Sequence, residues 1–324
     1  MMMGGVRQLG LASKSMTPLL QRSLAVSACA QGDMKNVTVL GGGVMGSGIA
    51  QLTAQNGFNV TIVDTDEYAQ KCMVSICKSL TIIANKKFPN EKKTGTAWYN
   101  DILSHIKTTQ SYDVGCASAD LIIETIIECP TAKRNLYQKV DGRMKEDAIL
   151  ATNTSCLSIQ DLSLDLACGD RFLGLHFFNP VWYMKLVEVI PGPHTAPSVL
   201  QRAFDFVDDI GKTAVRCNDT PGFIVNHLLY PYMMEGLRLM ERGHGTVEDI
   251  DTAMKLGAGL PMGPFEMMDV IGVDTVQQVI RTWNEKYPDD QRFFPSETIN
   301  KLVNEKKLGM KTKQGFYPYR HTLY

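Results

Sequence analysis

Apolar residues recur along this chain in two rhythms, one giving way to the other past residue 217. From Asn36 onward, short apolar runs alternate with turn residues: Val37-Thr-Val-Leu40, Val60-Thr-Ile-Val63, Leu121-Ile-Ile-Glu124, Ile149-Leu-Ala-Thr152, Phe172-Leu-Gly-Leu175 and Leu186-Val-Glu-Val-Ile190. Runs of this length read as buried strands, and the stretches between them leave room for helices, such as Ile49 to Asn56 closed by Gly57. Strands alternating with helices predict an α/β fold with a doubly wound parallel sheet. Beyond Asp219-Thr-Pro-Gly222 the apolar spacing becomes three and four, as in Ile224, Leu228, Leu229, Tyr232, Met233 and Leu237. Val247 to Leu256, Met267 to Tyr287 and Ser296 to Lys306 also read as helices. Thr220-Pro-Gly222 is a boundary signal. We therefore expect a sheet domain over 33–218 and an all-helical C-terminal domain over 219–324. A polar insertion at about 69–106, with Lys86-Lys87 and Lys92-Lys93, is predicted to be a helical arm. Its lysines read either as a solvated face or as phosphate recognition on a substrate carrier.

Gly41-Gly-Gly-Val-Met-Gly46 lies between the first strand and the first helix. A G-x-G-x-x-G pattern alone is weak, because glycine is common; the flanking strand and helix make it specific. Gly41 permits a tight turn, Gly43 lets the backbone approach a pyrophosphate, and Gly46 lets helix pack on strand. The helix then directs free N–H groups at phosphates. Asp64 ends the second strand, about 20 residues beyond the loop, where a carboxylate accepts from a ribose 2′-hydroxyl and repels a 2′-phosphate. A Rossmann-type domain that binds NAD rather than NADP is expected.

Ligands of open α/β sheets sit beyond the carboxyl ends of the strands. Asn153-Thr154-Ser155 follows one strand end and His176 another, leading into Phe177-Phe178-Asn179-Pro180. Glu188 sits inside the apolar run Leu186 to Ile190, and a carboxylate there is costly to bury without a partner. His176 supplies that partner. The pair would fix the imidazole tautomer and make it a base for a hydroxyl proton while hydride leaves the same carbon. Ser155 and Asn179 are candidates to hold the reacting oxygen or the nicotinamide carboxamide. The other five of the six histidines (105, 194, 227, 244 and 321) have no such context. No His-x-x-x-His or mixed acidic grouping has metal-ligand spacing, and no Gly-x-Ser-x-Gly elbow occurs, so neither metal nor serine chemistry is expected.

The formal net charge of −1 gives no global field to attract nucleic acid. No apolar run reaches the roughly 18 residues of a membrane span, so no membrane insertion is expected. The eight cysteines form no Cys-x-x-Cys pair and read as reduced thiols. Residues 1–32 carry Arg7, Lys14 and Arg22 among Ser, Leu, Ala and Met, with no acid before Asp33. That composition reads as a mitochondrial transit peptide, the alternative being a plain tail.

Several segments together are more specific than any of these signals: Val39-Leu-Gly-Gly-Gly-Val-Met-Gly-Ser-Gly-Ile-Ala50, Asn153-Thr-Ser155, Leu175-His-Phe-Phe-Asn-Pro180, Met184-Lys-Leu-Val-Glu-Val-Ile190 and Asp219-Thr-Pro-Gly-Phe-Ile-Val-Asn226. With Asp249-Ile-Asp-Thr-Ala-Met-Lys-Leu-Gly-Ala258, Met262-Gly-Pro-Phe265 and Gly315-Phe-Tyr317, the chain closely resembles the L-3-hydroxyacyl-CoA dehydrogenases, in their short-chain mitochondrial form, over roughly residues 35 to 320. The resemblance implies oxidation of (3S)-3-hydroxyacyl-CoA by NAD+ in fatty-acid β-oxidation, in the mitochondrial matrix. It makes His176 the acid/base and Glu188 its orienting carboxylate. It places NAD contacts on the loop from Leu40 through Gly41, Gly42, Gly43, Val44 and Met45 to Gly46, and on Asp64, Glu128, Lys133, Ser155, Asn179 and Lys311. It places acyl-CoA contacts on Ser79, Lys86, Ser155 and Asn226, which moves Lys86 toward phosphate recognition. A homodimer built through the helical domain, with the active site in the interdomain cleft, is also implied. Trp182-Tyr183 and Cys156 depart from the usual pattern, the former bearing on acyl length. Two readings compete: a crystallin-type structural or NAD-binding protein without turnover, and a dehydrogenase of CoA-free hydroxy acids.

Overall fold

In the computed structural model, residues 34–320 are described; the basic leader and His321 lie outside them. The sheet half runs β1 (Asn36–Leu40), α1 (Val44–Gln55), β2 (Asn59–Val63), α2 (Asp66–Lys87), α3 (Lys92–Ser104), β3 (Ile106–Thr109), α4 (Tyr112–Cys116), β4 (Leu121–Glu124), α5 (Pro130–Asp141), β5 (Ile149–Thr152), α6 (Ile159–Ser163), β6 (Phe172–Phe177), β7 (Leu186–Pro191), α7 (Pro197–Asp209) and β8 (Thr213–Arg216). The helical half follows as α8 (Val225–Glu241), α9 (Val247–Gly257), α10 (Pro264–Ile271), α11 (Val273–Lys286) and α12 (Glu297–Asn304).

The strands form one sheet in the order β3-β2-β1-β4-β5-β6-β7-β8. Its direction of growth reverses between β1 and β4, which opens a crevice at their carboxyl ends. Every residue of β4 and β5 is buried, because helices cover both faces and a parallel strand there needs apolar side chains on either side. Phe206 and Val207 of α7 and Ile49 of α1 pack on one face, Leu136 and Tyr137 of α5 and Ile159 of α6 on the other. A third core, around Met233, Phe265, Met268 and Trp283, belongs to the helical half.

The structure corrects the sequence reading in four places. The run Leu186 to Ile190 was expected in a parallel sheet, yet β7 is antiparallel to β6. Only the short connection 178–185 joins them, and a parallel crossover needs a dozen residues or more. β3 and β8 went unread because they close the two ends of the sheet, where Lys107 and Arg216 are exposed and no continuous apolar run forms. The first helix begins at Val44, inside the glycine segment, rather than at Ile49. The helix expected over Met267 to Tyr287 is two helices, broken at Gly272, whose φ of +103° no helix accommodates.

The insertion at 69–106 is helical, as α2 and α3. Cys72, Ile76, Leu80 and Ile102 join Ile49 and Ala50 of α1 in one core, so the base of this pair is packed onto the sheet domain.

Candidate active site

Gly41 leaves β1 at φ +103°, and a Cβ there would sit 3.1 Å from Thr125 Oγ1. A Cβ on Gly46 would collide with Gly41 O, so turn and helix meet as closely as backbones can. A Cβ on Gly43 would meet nothing within 4 Å, which leaves open space at the loop tip. Leu40 is buried at the end of β1, Met45 is half-buried, and Val44 is exposed in the first turn of α1. Among the described residues no side chain caps that helix, which leaves its leading N–H groups for a ligand. Asp64 directly follows β2 and accepts from Gly42 N through Oδ2 and from Thr65 N through Oδ1, each at 2.7 Å. The carboxylate is thus anchored beside a cavity of about 150 Å³ bounded by Gly41, Val63, Thr65 and Tyr112. An open glycine tip, an uncapped helix and a fixed acid at the second strand fit a dinucleotide.

His176 and Glu188 face one another directly in the antiparallel pairing of β6 and β7, which explains their separation of 12 residues. Nδ1 of His176 lies 2.7 Å from Glu188 Oε2. Glu188 is fully buried, and its Oε1 accepts from Ile224 N and Val225 N at 2.9 Å each, where α8 begins. Three donors therefore replace the water this carboxylate lost. The rings of Phe178 and Phe223 flank the imidazole at 4.4 and 5.5 Å. Asn179 is exposed just beyond β6, ahead of a cis bond to Pro180. Asn153 Oδ1 accepts from Phe177 N at 2.9 Å and so joins the loop after β5 to β6.

A second charge cluster underlies that loop. Fully buried Glu124 accepts from Lys133 Nζ and Ile126 N at 2.6 Å, Tyr137 OH at 2.7 Å and Thr152 Oγ1 at 2.8 Å. Lys133 also reaches Glu128 Oε2 at 3.2 Å, and Glu128 Oε1 takes Thr154 Oγ1 at 2.5 Å and Ser155 N at 2.9 Å. Burial alone would raise the Glu128 pKa, but the Lys133 ammonium and these donors hold it below the usual carboxylate value. Burial and the Glu128 charge push the Cys156 thiol up to about 12, which makes it inert. Lys133 is 1% exposed, so its ammonium is spent on the two carboxylates. Glu124, Tyr137 and Thr152 were missed by the sequence reading. Glu124 carried a readable signal, an acid ending an apolar strand, the same that marked Glu188.

Ser155 and Glu128 open onto a cleft of about 720 Å³ with Asn226, Tyr230, Asp274 and Trp283 on its far wall. Asn226 Nδ2 approaches Ser155 O at 3.5 Å. Lys311 pairs with Asp274, which brings it to this wall. Ser79 and Lys86 lie on α2, two turns apart and so on one face, Lys86 exposed; neither lines the cleft. Trp182 and Tyr183 are 57% and 68% exposed and do not line it either. Among the described residues no group of His, Cys, Asp and Glu could hold a metal ion, no helix is long and apolar enough to cross a membrane, and seven cysteines are free.

The family model described as 3-hydroxyacyl-CoA dehydrogenase, NAD binding domain, matches residues 36–220, and its C-terminal domain counterpart matches 222–319. Hydroxyacyl-coenzyme A dehydrogenase, mitochondrial, of Mus musculus is 47% identical over 288 residues, 89% of this chain and 92% of the relative. The Sus scrofa protein of the same name is 46% identical over 310 residues, 94% and 99% of the two chains. The crystal structure of (S)-3-hydroxybutyryl-CoA dehydrogenase from Ralstonia eutropha superposes with a TM-score of 0.82 at 34% identity, covering 88% of this chain and 99% of the other.

Proposed function

The chain belongs to the 3-hydroxyacyl-CoA dehydrogenase family, and on that premise we propose that His176 takes the proton of the 3-hydroxyl of a (3S)-3-hydroxyacyl-CoA. It is an NAD-dependent enzyme that yields the 3-oxoacyl-CoA. Bound NAD+ supplies the hydride acceptor. The observation that carries the assignment is the Glu188 carboxylate, held by two backbone N–H groups and directed at His176 Nδ1. An Nδ1–H donated to Glu188 leaves the lone pair on Nε2, the nitrogen that takes the hydroxyl proton. The imidazolium so formed is balanced by Glu188, whose own position needs no rearrangement. In the reverse direction His176 returns the proton to the oxygen.

The remaining assignments rest on geometry together with family membership. Gly41 to Gly46 with Leu40 and Asp64 seat the cofactor, and Asp64 selects NAD over NADP. Ser155 and Asn179 hold the reacting oxygen or the carboxamide, and Glu128 with Lys133 sets the Ser155 loop. Asn226 and Lys311 complete the cleft from the helical side, and Ser79 with Lys86 meets the CoA phosphates. Apolar Leu228, Leu239, Leu256 and Val270, all exposed on the helical half, support a homodimer built through it. Mitochondrial relatives and the acid-free, basic first 32 residues support a matrix location reached through a transit peptide.

The test is NADH consumption with acetoacetyl-CoA, alongside free acetoacetate, by the protein and by His176→Gln. Turnover of the thioester that His176→Gln lowers by about 10² or more, with cofactor binding intact, is the expected result. No turnover with NADH bound would overturn the enzyme assignment. Equal turnover of the free acid would overturn the CoA assignment.

A further inference from the structure

Lys212 immediately precedes β8 and is 9% exposed. Its ammonium donates to Val181 O and Met184 O, both at 2.6 Å. Burial, joined by the charge of Lys185, pulls its pKa below the ordinary lysine value, and no carboxylate among the described residues offsets that shift. An ammonium taken out of water without a carboxylate is costly, so what it holds matters.

The two carbonyls belong to the connection between β6 and β7. Tyr183 N and Met184 N both donate to Pro180 O at 3.0 Å, closing a tight turn whose outer carbonyls converge on Lys212. Packing contributes little else to that turn: Trp182 and Tyr183 are 57% and 68% exposed and lie edge-on to one another at 5.7 Å. Val181 is the exception, buried and so close to α1 that a Cβ on Gly48 would come within 2.9 Å of it. Asn179 stands at the head of this turn, directly after the strand that carries His176.

We propose that Lys212 is a positioning residue for the dehydrogenase reaction: by clamping Val181 O and Met184 O it fixes the turn that presents Asn179 beside His176. The inference rests on the role given to Asn179 above. Lysine suits the task, because its slender stem is buried and its three donors serve two carbonyls at once. Methionine has a comparable stem without a donor.

Acetoacetyl-CoA reduction by Lys212→Met, Asn179→Ala and the double variant tests it, together with amide exchange at Tyr183 and Met184. Lys212→Met is expected to lower kcat about tenfold, as a displaced positioning group does, while the KM for NADH changes less than about twofold. That loss should shrink to under about twofold in the Asn179→Ala background, and both amides should exchange at least about tenfold faster. Lys212→Arg, which keeps the charge and donors, should regain most of the lost rate. An equal factor in both backgrounds would mean a general structural role and overturn the proposal, as would unchanged exchange at the two amides. If Asn179→Ala is itself fully active while the amides of Lys212→Met exchange faster, the assignment of Asn179 fails and the clamp stands. Should Lys212→Met not fold, Lys212→Gln carries the same cycle with a shorter, uncharged amide donor, and an expected loss of about threefold.

Discussion

Two charge clusters, each centred on a fully buried glutamate, belong to the same sheet and are built in opposite ways. The His176–Glu188 pair spans two antiparallel strands and, among the described residues, keeps one ring nitrogen uncommitted. The Glu124–Lys133–Glu128 cluster draws on a strand end, a helix and the loop between them, and its lysine is wholly enclosed between the acids. On the role proposed for His176, the first exchanges a proton while the second holds its shape. Buried charge marks function where a titrating group keeps an open site, and marks framework where every donor and acceptor is matched.

Perturbing each cluster should separate the two roles. The largest effect is expected from Lys133→Met, which leaves the fully buried Glu124 carboxylate without its cation: a loss of about 3–5 kcal/mol in urea unfolding. Wild-type stability in that variant would erase the distinction. His176→Gln should do the converse, lowering kcat by about 10² or more while the unfolding midpoint stays near its original value. Glu188→Gln is expected to slow turnover by about tenfold, less than loss of the base itself, with NAD+ affinity retained in a binding titration.

A finer contrast comes from pH. Glu128 is ionised more readily in the folded chain than its ordinary value of 4.5 allows. Its ionised form therefore stabilises the fold fully above that value, and the contribution fades as pH falls through the lowered folded value. The stability gap between the protein and Glu128→Gln should close on acidification, as read from urea midpoints across pH 3 to 6. A gap that widens would reverse the sign assigned to this site. Smallest of all, Trp182→Ala should leave the rate on short 3-oxoacyl-CoA esters within about twofold, since exposed side chains away from such clusters contribute little.

Legibility followed periodicity. Central strands such as Leu121–Glu124 and Ile149–Thr152 announced themselves because both faces are buried, whereas edge strands β3 and β8 have one wet flank and no run to read. Glu188 could be paired with His176 from the chain alone because a carboxylate inside an apolar run demands a partner, although the antiparallel register that joins them was not read. Glu124 carried the same mark, but its partners Tyr137 and Thr152 come from a helix and a neighbouring strand, and no spacing rule links them. Lys212 gave no signal: a lone lysine beside a glycine looks like any surface charge until the fold wraps carbonyls around it.

The two N–H groups that Ile224 and Val225 give to Glu188 come from the start of the helical half, not from the sheet. A swing of α8 away from the sheet would strip the carboxylate of two of its three donors and slacken its grip on the imidazole. On the role proposed for His176, the base is thereby armed by the same contact that seats one half of the molecule on the other, and an enzyme sprung open would carry its histidine with the safety on.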